Sequence, residues 1–308
     1  MPKFTIPQKF THLVLAAIDI GSNAARLLIS EVIQTKNGGT SFNKLNLVRV
    51  PLRLGFDVFE NNSISQEKIN MFVECMKAYR HLMNAYKVEA HFACATSAMR
   101  DAQNAGEIIK FIEKECGIGI KVITGDFEAN LVYENHFAEN LDIDKSYLYI
   151  DVGGGSTELS YFSSNVLQYK QSFNIGTIRL LKNKVGDDEW DIFKTCIKQI
   201  TKDQKEVVAI GSGGNINKVF SLSKRKEGRP LSIELLLDYY KDLSALSVTE
   251  RIEKFNLRED RADVIVPALQ IYTQAMRWAN AKEIYVPKIG LADGLIKHLW
   301  NEVKNKNL

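Results

Sequence analysis

The chain has 308 residues, 45% of them hydrophobic and 25% charged, with a formal net charge of +3. That length predicts two domains, and that composition belongs to a soluble globular protein, which excludes a disordered or fibrous chain. The small charge does not by itself imply nucleic-acid binding, so no nucleic-acid partner is expected and any anion site must come from local arrangement; no apolar stretch reaches the length that spans a membrane.

Met1 to Phe10 carries Pro2 and Pro7 and no long apolar run, so no signal peptide is expected there. Apolar patterning predicts strands at Leu13–Ile20, Ala25–Ile33 and about Phe42–Val50, with Lys36-Asn37-Gly38-Gly39 as a hairpin turn. Ser63-Ile64-Ser65-Gln66-Glu67 offers an N-cap to an amphipathic helix ending near Tyr86. A strand at Ala90–Ala95, a helix from about Asn104 to Cys116 and a short strand at Ile120–Ile123 follow. The resulting order, β-β-β-α-β-α-β, then recurs. Its second copy comprises strands at Ser146–Ile150, Thr157–Phe162 and Val166–Phe173, a helix at Asp187–Ile200, and a strand at Val207–Ile210 ending at Gly211. Helices around Ile233–Leu243 and Val248–Glu253, a longer one from about Arg261 to Asn280, a strand at Glu283–Val286 and a helix from about Leu291 complete the chain. Two related α/β domains are expected, 1–129 and 130–308, and the C-terminal helix over about 291–308 is a candidate to pack back on the first.

Within these units one phrase occurs twice: Ile18-Asp19-Ile20-Gly21-Ser22-Asn23, and Ile150-Asp151-Val152-Gly153-Gly154-Gly155-Ser156. Each time an apolar strand delivers an Asp into a glycine turn. Glycine permits close backbone approach, and exposed N–H groups beside an acid that can hold a hydrated cation suit a magnesium-bound phosphate. Asp19 and Asp151 could equally cap their own turns. Gly211, Ser212, Gly213, Gly214 and Asn215 form a third glycine turn leading into a helix, whose N-terminus favours anions. The two repeats are expected to face each other across a cleft.

Cys75, Cys94, Cys116 and Cys196 form no CxxC pair and read as buried thiols of a reducing, cytoplasmic compartment. His12, His81, His91, His136 and His298 show no metal-ligand spacing and read as structural, and Trp190, Trp278 and Trp300 read as packing residues. There is no GxSxG or P-loop lysine motif.

Ala95-Thr96-Ser97-Ala98-Met99-Arg100-Asp101-Ala102, Ile123-Thr124-Gly125-Asp126-Phe127-Glu128-Ala129 and Ile210-Gly211-Ser212-Gly213-Gly214-Asn215 complete the pattern. With the two turns they resemble the exopolyphosphatase and guanosine pentaphosphate phosphohydrolase (Ppx/GppA) family, from about Ala17 to about Leu295. The resemblance implies an α/β fold of two actin-like (ribonuclease H-like) domains with a central cleft. It implies the short, two-domain form, the sequence ending soon after Gly290-Leu291-Ala292-Asp293-Gly294. A homodimer is also implied by resemblance.

The family match makes Glu128 the catalytic base and Arg100 the phosphate-meeting arginine, with Asp19, Asp151 and Glu158 around Mg²⁺. Gly21, Ser22 and Asn23, Gly153 to Ser156, and Gly211 to Asn215 are the expected phosphate-binding turns. Arg26, beside the first turn, either reaches phosphate or faces solvent. Arg49, Arg53 and Arg179 extend a basic track or are solvated, while Lys224-Arg225-Lys226 with Arg229 reads as an exposed loop. The family usually has an acid where this chain has Phe127. The implied substrate is inorganic polyphosphate or guanosine pentaphosphate. Rival readings are a kinase or ATPase of the same fold and a sensor that binds without turnover.

Overall fold

The computed structural model describes residues 12–34, 39–136, 142, 144–202, 206–287 and 290–305. The expected turn at Lys36-Asn37-Gly38 lies outside them. β1 (His12–Ile20) is buried on both faces, and its side chains alternate accordingly. Ala16, Ile18 and Ile20 enter one core, whereas Leu13, Leu15 and Ala17 enter another. Around β1 lie β2 (Ala25–Gln34), β3 (Thr40–Val50), β4 (Ala90–Ala95) and β5 (Ile120–Val122) in the order β3-β2-β1-β4-β5. Two long helices, α2 (Gln66–Ala85) and α4 (Ala105–Cys116), cover the first face through Phe72, Met76, Tyr79, Ile108 and Ile112.

The second sheet contains β6 (Ser146–Val152), β7 (Thr157–Ser163), β8 (Val166–Phe173), β9 (Val207–Ser212), β10 (Leu231–Ser232) and β11 (Glu283–Tyr285). Its order, β10-β11-β9-β6-β7-β8, repeats the first in reverse reading with one added edge strand. α7 (Asp187–Ile200), α9 (Ile233–Ser244) and α12 (Ile265–Trp278) contribute Phe193, Leu236 and Tyr272 to its core. The sequence order and the sheet order therefore agree on two copies of one unit.

Two elements join the lobes. α5 (Gly125–His136) packs on β7 and β8 of the second sheet and on α13 (Leu291–Asn305). That final helix lies on β1, β2 and β4, and its Leu295, Ile296 and Leu299 fill the second face of the first sheet. No described helix is long and apolar enough to cross a membrane. All four cysteines are free; Cys75, Cys94 and Cys116 are buried and Cys196 is half-buried.

The predicted ends hold for β4, β8 and α7. Three short helices were not expected: α1 (Leu54–Asn61), α3 (Ser97–Asp101) and α6 (Thr177–Leu181). None has a side-chain N-cap bond, and segments of one or two turns are too short to display a 3.6-residue period. The expected helix from Arg261 to Asn280 is instead broken into α11 (Glu259–Ala262) and α12. Pro267 is the cause. It has no N–H for the Asp263 carbonyl and its ring would crowd that carbonyl, but it is tolerated in the first turn of a new helix. The break releases Asp263 to pair with Arg53 of the first lobe.

Candidate active site

Both hairpin turns have one construction. The Gly21 amide donates to the Ala24 carbonyl at 3.0 Å, and the Gly153 amide donates to the Ser156 carbonyl at 2.9 Å. Those two amides close their own turns, which corrects the expectation that they bind phosphate. In the ladders, Asp19 stands opposite Arg26 and Asp151 opposite Glu158, so equivalent positions of the two units carry opposite charges. Arg26 Nη1 donates to Asp19 Oδ2 at 2.7 Å, while Glu158 Oε1 accepts from the Ser156 hydroxyl at 2.7 Å and the Ser172 hydroxyl at 2.8 Å.

The turns interlock where side chains are absent. A Cβ on Gly154 would stand 2.9 Å from Ser22 Cβ, and one on Gly155 would stand 2.4 Å from Ser97 Oγ. Gly155 is therefore a packing residue beneath the cleft. Gly211 and Ser212 also differ from expectation, being the last residues of β9: Gly211 leaves room for Ile284, and the Ser212 hydroxyl bonds to Asp151. At the following turn Gly213 has φ 115°, a conformation open to glycine, and it starts α8 (Gly214–Ser223). A Cβ on Gly214 would lie 3.4 Å from Arg261 Nη2 and 3.6 Å from Arg26 Nη2, so guanidinium groups from both lobes converge on the α8 N-terminus.

Between the lobes is a cleft of about 630 Å³, lined by Asp19, Arg26, Glu128, Asp151 and Glu158 with residues of all three turns. That is the size of a small-molecule site. Glu128 reaches it from the first turn of α5, its own amide bonded to the Thr124 carbonyl at 3.0 Å and the Phe127 amide to the Thr124 hydroxyl at 3.2 Å. Arg100 lies in the last turn of α3; its Nη1 donates to the Ile123 carbonyl at 2.7 Å and stands 3.5 Å from Glu128 Oε2. It touches the Glu128 carboxylate from behind the cleft wall.

Burial dominates the acid–base behaviour. It raises Glu128 well above the ordinary glutamate range, the Glu158 charge raises it further, and Arg100 opposes both. Burial and then Asp151 push Glu158 up to about 7, and burial raises Asp151. A carboxyl raised on folding binds more protons in the folded state, so its stabilising share is present at low pH and lost as pH rises. For Glu158 the window runs from about 4.5 to about 7. In metal-free buffer, Glu158→Gln should therefore gain stability relative to wild type by up to about 3 kcal/mol between pH 4.5 and 8. Denaturant melts across that range test this; a difference that stays flat with pH would count against a buried ionisable Glu158.

No three His, Cys, Asp or Glu side chains among the described residues form a ready metal cage. The expected trio of Asp19, Asp151 and Glu158 is thus not a closed centre, and all three already accept protein hydrogen bonds. The carboxylates that line the cleft still fit Mg²⁺, which takes one or two carboxylates and completes its shell with water and phosphate oxygens.

The basic track divides. Arg49 lines the cleft and pairs with Asp260, whereas Arg53 pairs with Asp263 and stacks on Phe56 at 3.9 Å. Arg179 pairs with Asp101, donates to the Gly155 carbonyl at 2.6 Å and stacks on Phe59 at 4.2 Å. Arg53 and Arg179 are ties between lobes. Of the 224–229 cations, Arg225 alone reaches the cleft rim. Sequence reasoning missed Arg261, because Arg258-Glu259-Asp260-Arg261 alternates charge like any solvated helix. Burial first, and then the charges of Arg49 and Arg258, lower Arg261 to about 10. Leu28, Leu47, Phe220, Val286 and Leu291, also unanticipated, give the cleft an apolar wall.

The fold recurs in known proteins. In the solved structure of the Aquifex aeolicus Ppx/GppA family member the fold matches with TM-score 0.72 and 26% identity, over 96% of this chain and 99% of that one. The solved exopolyphosphatase of Cytophaga hutchinsonii shares the fold with TM-score 0.79 and 23% identity, over 94% and 98% of the two chains. Both support an actin-like fold of two domains. Among curated proteins, 172 residues are 35% identical to the bifunctional 3-dehydroquinate synthase/phosphatase of Fusobacterium nucleatum, over 55% of this chain. A further 305-residue match, 28% identical over 94% of this chain, is to the guanosine-5'-triphosphate,3'-diphosphate pyrophosphatase of Pseudoalteromonas translucida. The chain spans 26% and 58% of the lengths of these two relatives. With the family model of Ppx/GppA phosphatases matching residues 32–302, the chain belongs to the Ppx/GppA phosphatase family.

Proposed function

We propose that this protein is a phosphoanhydride hydrolase that releases the terminal phosphate of inorganic polyphosphate by in-line attack of water. The observation that carries the reading is Glu128, buried at a helix start on a cleft walled by glycine turns of both lobes. A carboxylate of raised pKa is a competent general base near neutral pH, and hydrolysis needs one to orient and deprotonate water. Backbone amides at the turns and the Arg26–Arg261 pair would receive the oxygens of the terminal phosphate. Because these donors are fixed by packing, little reorganisation accompanies charge build-up. Bound Mg²⁺, held by one or two of Asp19, Asp151 and Glu158, would supply charge neutralisation on the phosphate oxygens.

A second reading, hydrolysis of guanosine pentaphosphate, is favoured by the apolar wall of Leu47, Phe220, Val286 and Leu291. An all-oxygen polyanion has no use for such a surface, whereas a nucleobase does. Phosphate release by pure protein from polyphosphate, guanosine pentaphosphate and ATP, with and without Mg²⁺, tests both. Release from polyphosphate that chelator abolishes and Mg²⁺ restores is expected. Release only from the guanosine nucleotide selects the second reading, and binding without release would remove the hydrolase.

A further inference from the structure

Successive residues of a helix point about 100° apart, so Phe127 and Glu128 meet different neighbours. Glu128 lines the cleft, whereas the Phe127 ring turns to α13 and meets the His298 imidazole edge-on, centroids 5.3 Å apart at 88°. Phe92 of β4 meets the same imidazole at 5.6 Å and 82°. His298 Nε2 stands 3.5 Å from Glu302 Oε1, and Lys121 Nζ lies 5.5 Å from the Phe127 ring centre. The imidazole is thus wedged between rings of α5 and β4. Its helix is fixed in turn, since Asp293 in the first turn of α13 pairs with Lys44 of β3 at 2.7 Å.

Glu128 needs such an anchor. The charges of Glu158, Asp151 and Asp19 oppose its carboxylate, and Arg100 attracts it from 3.5 Å. We propose that the Phe127–His298 contact is a positioning device, which pins the first turn of α5 to α13 and so fixes the Glu128 carboxylate at the cleft. The proposal rests on Glu128 as the base; Phe127 and His298 touch no reacting atom.

The test compares His298→Ala, Phe127→Ala and His298→Phe by amide hydrogen exchange and by steady-state phosphate release from polyphosphate. Both alanine variants should speed exchange at the Phe127 and Glu128 amides about 10-fold, with α2 unchanged, since an aromatic pair is lost. They should lower kcat about 10- to 100-fold with KM within about twofold, and His298→Phe, which keeps the ring packing, should restore both readouts. Unchanged exchange in α5, faster exchange with unaltered kcat, or failure of His298→Phe to rescue would each overturn the proposal. If Phe127→Ala does not fold, His298→Ala decides. A wild-type protein that releases no phosphate removes the hydrolase reading, and exchange alone then decides whether the contact orders the turn.

Discussion

Glu128→Gln is expected to lower phosphate release by about 10²- to 10⁴-fold, the usual worth of a general base, while folding and polyphosphate binding persist. Glutamine keeps the shape and still offers an oxygen to Arg100, whose Nη1 remains occupied by the Ile123 carbonyl. What disappears is the proton acceptor. The same change removes a charge buried among three other acids, a position that burial and repulsion make costly. The variant should therefore unfold at a higher denaturant concentration than wild type at pH 8, so activity and stability move in opposite directions. Measured together, release assays and denaturant melts separate a lost base from a damaged fold. Unchanged turnover would take the base role from Glu128.

Gly176→Ala should be the most damaging single methyl in the molecule's site region. Gly176 precedes α6 with φ −138°, which any residue adopts, so the cost is purely steric. Its Cβ would stand 2.4 Å from the Gly154 carbonyl oxygen, 2.4 Å from Gly155 C and 2.5 Å from Gly155 N. All three are backbone atoms and cannot rotate aside. The turn from Gly153 to Ser156 must move, and with it the Ser156 hydroxyl that holds Glu158. A loss of about 3 kcal/mol is expected from overpacking, and about 10²-fold in turnover from a displacement near 1 Å. Gly106→Ala is the control: nothing lies within 4 Å of its Cβ, and it sits in α4, where alanine is favoured by up to about 1 kcal/mol. Wild-type stability and turnover in Gly176→Ala would mean that the turns do not interlock as described.

Much of the fold is legible locally. The β1 and β6 phrases each show an apolar run closed by Asp and glycine, and Ser65 caps α2 by accepting from the Lys68 amide at 3.4 Å. Periodicity could find α4 and α7 because each exceeds three turns. It could not find α1 or α3, and it carried one helical pattern through Asp263 and Val264, where Pro267 interrupts it. Site residues divide the same way. Asp19, Asp151 and the glycines announce themselves by strand-end position, but Arg261 looks like surface charge until folding places its guanidinium beside that of Arg26, more than two hundred residues away in the chain.

The sequence alone determined the repeated α/β unit, the acids at its strand ends and the glycines of its turns, because strand period and turn chemistry are properties of neighbouring residues. Tertiary structure decided which amides close turns and which glycines serve packing, that Arg53 and Arg179 tie lobes together, and that α13 backs the helix of Glu128. Those outcomes depend on the turns of two sheets meeting across the cleft, and the distances created by that meeting connect residues that no local pattern links.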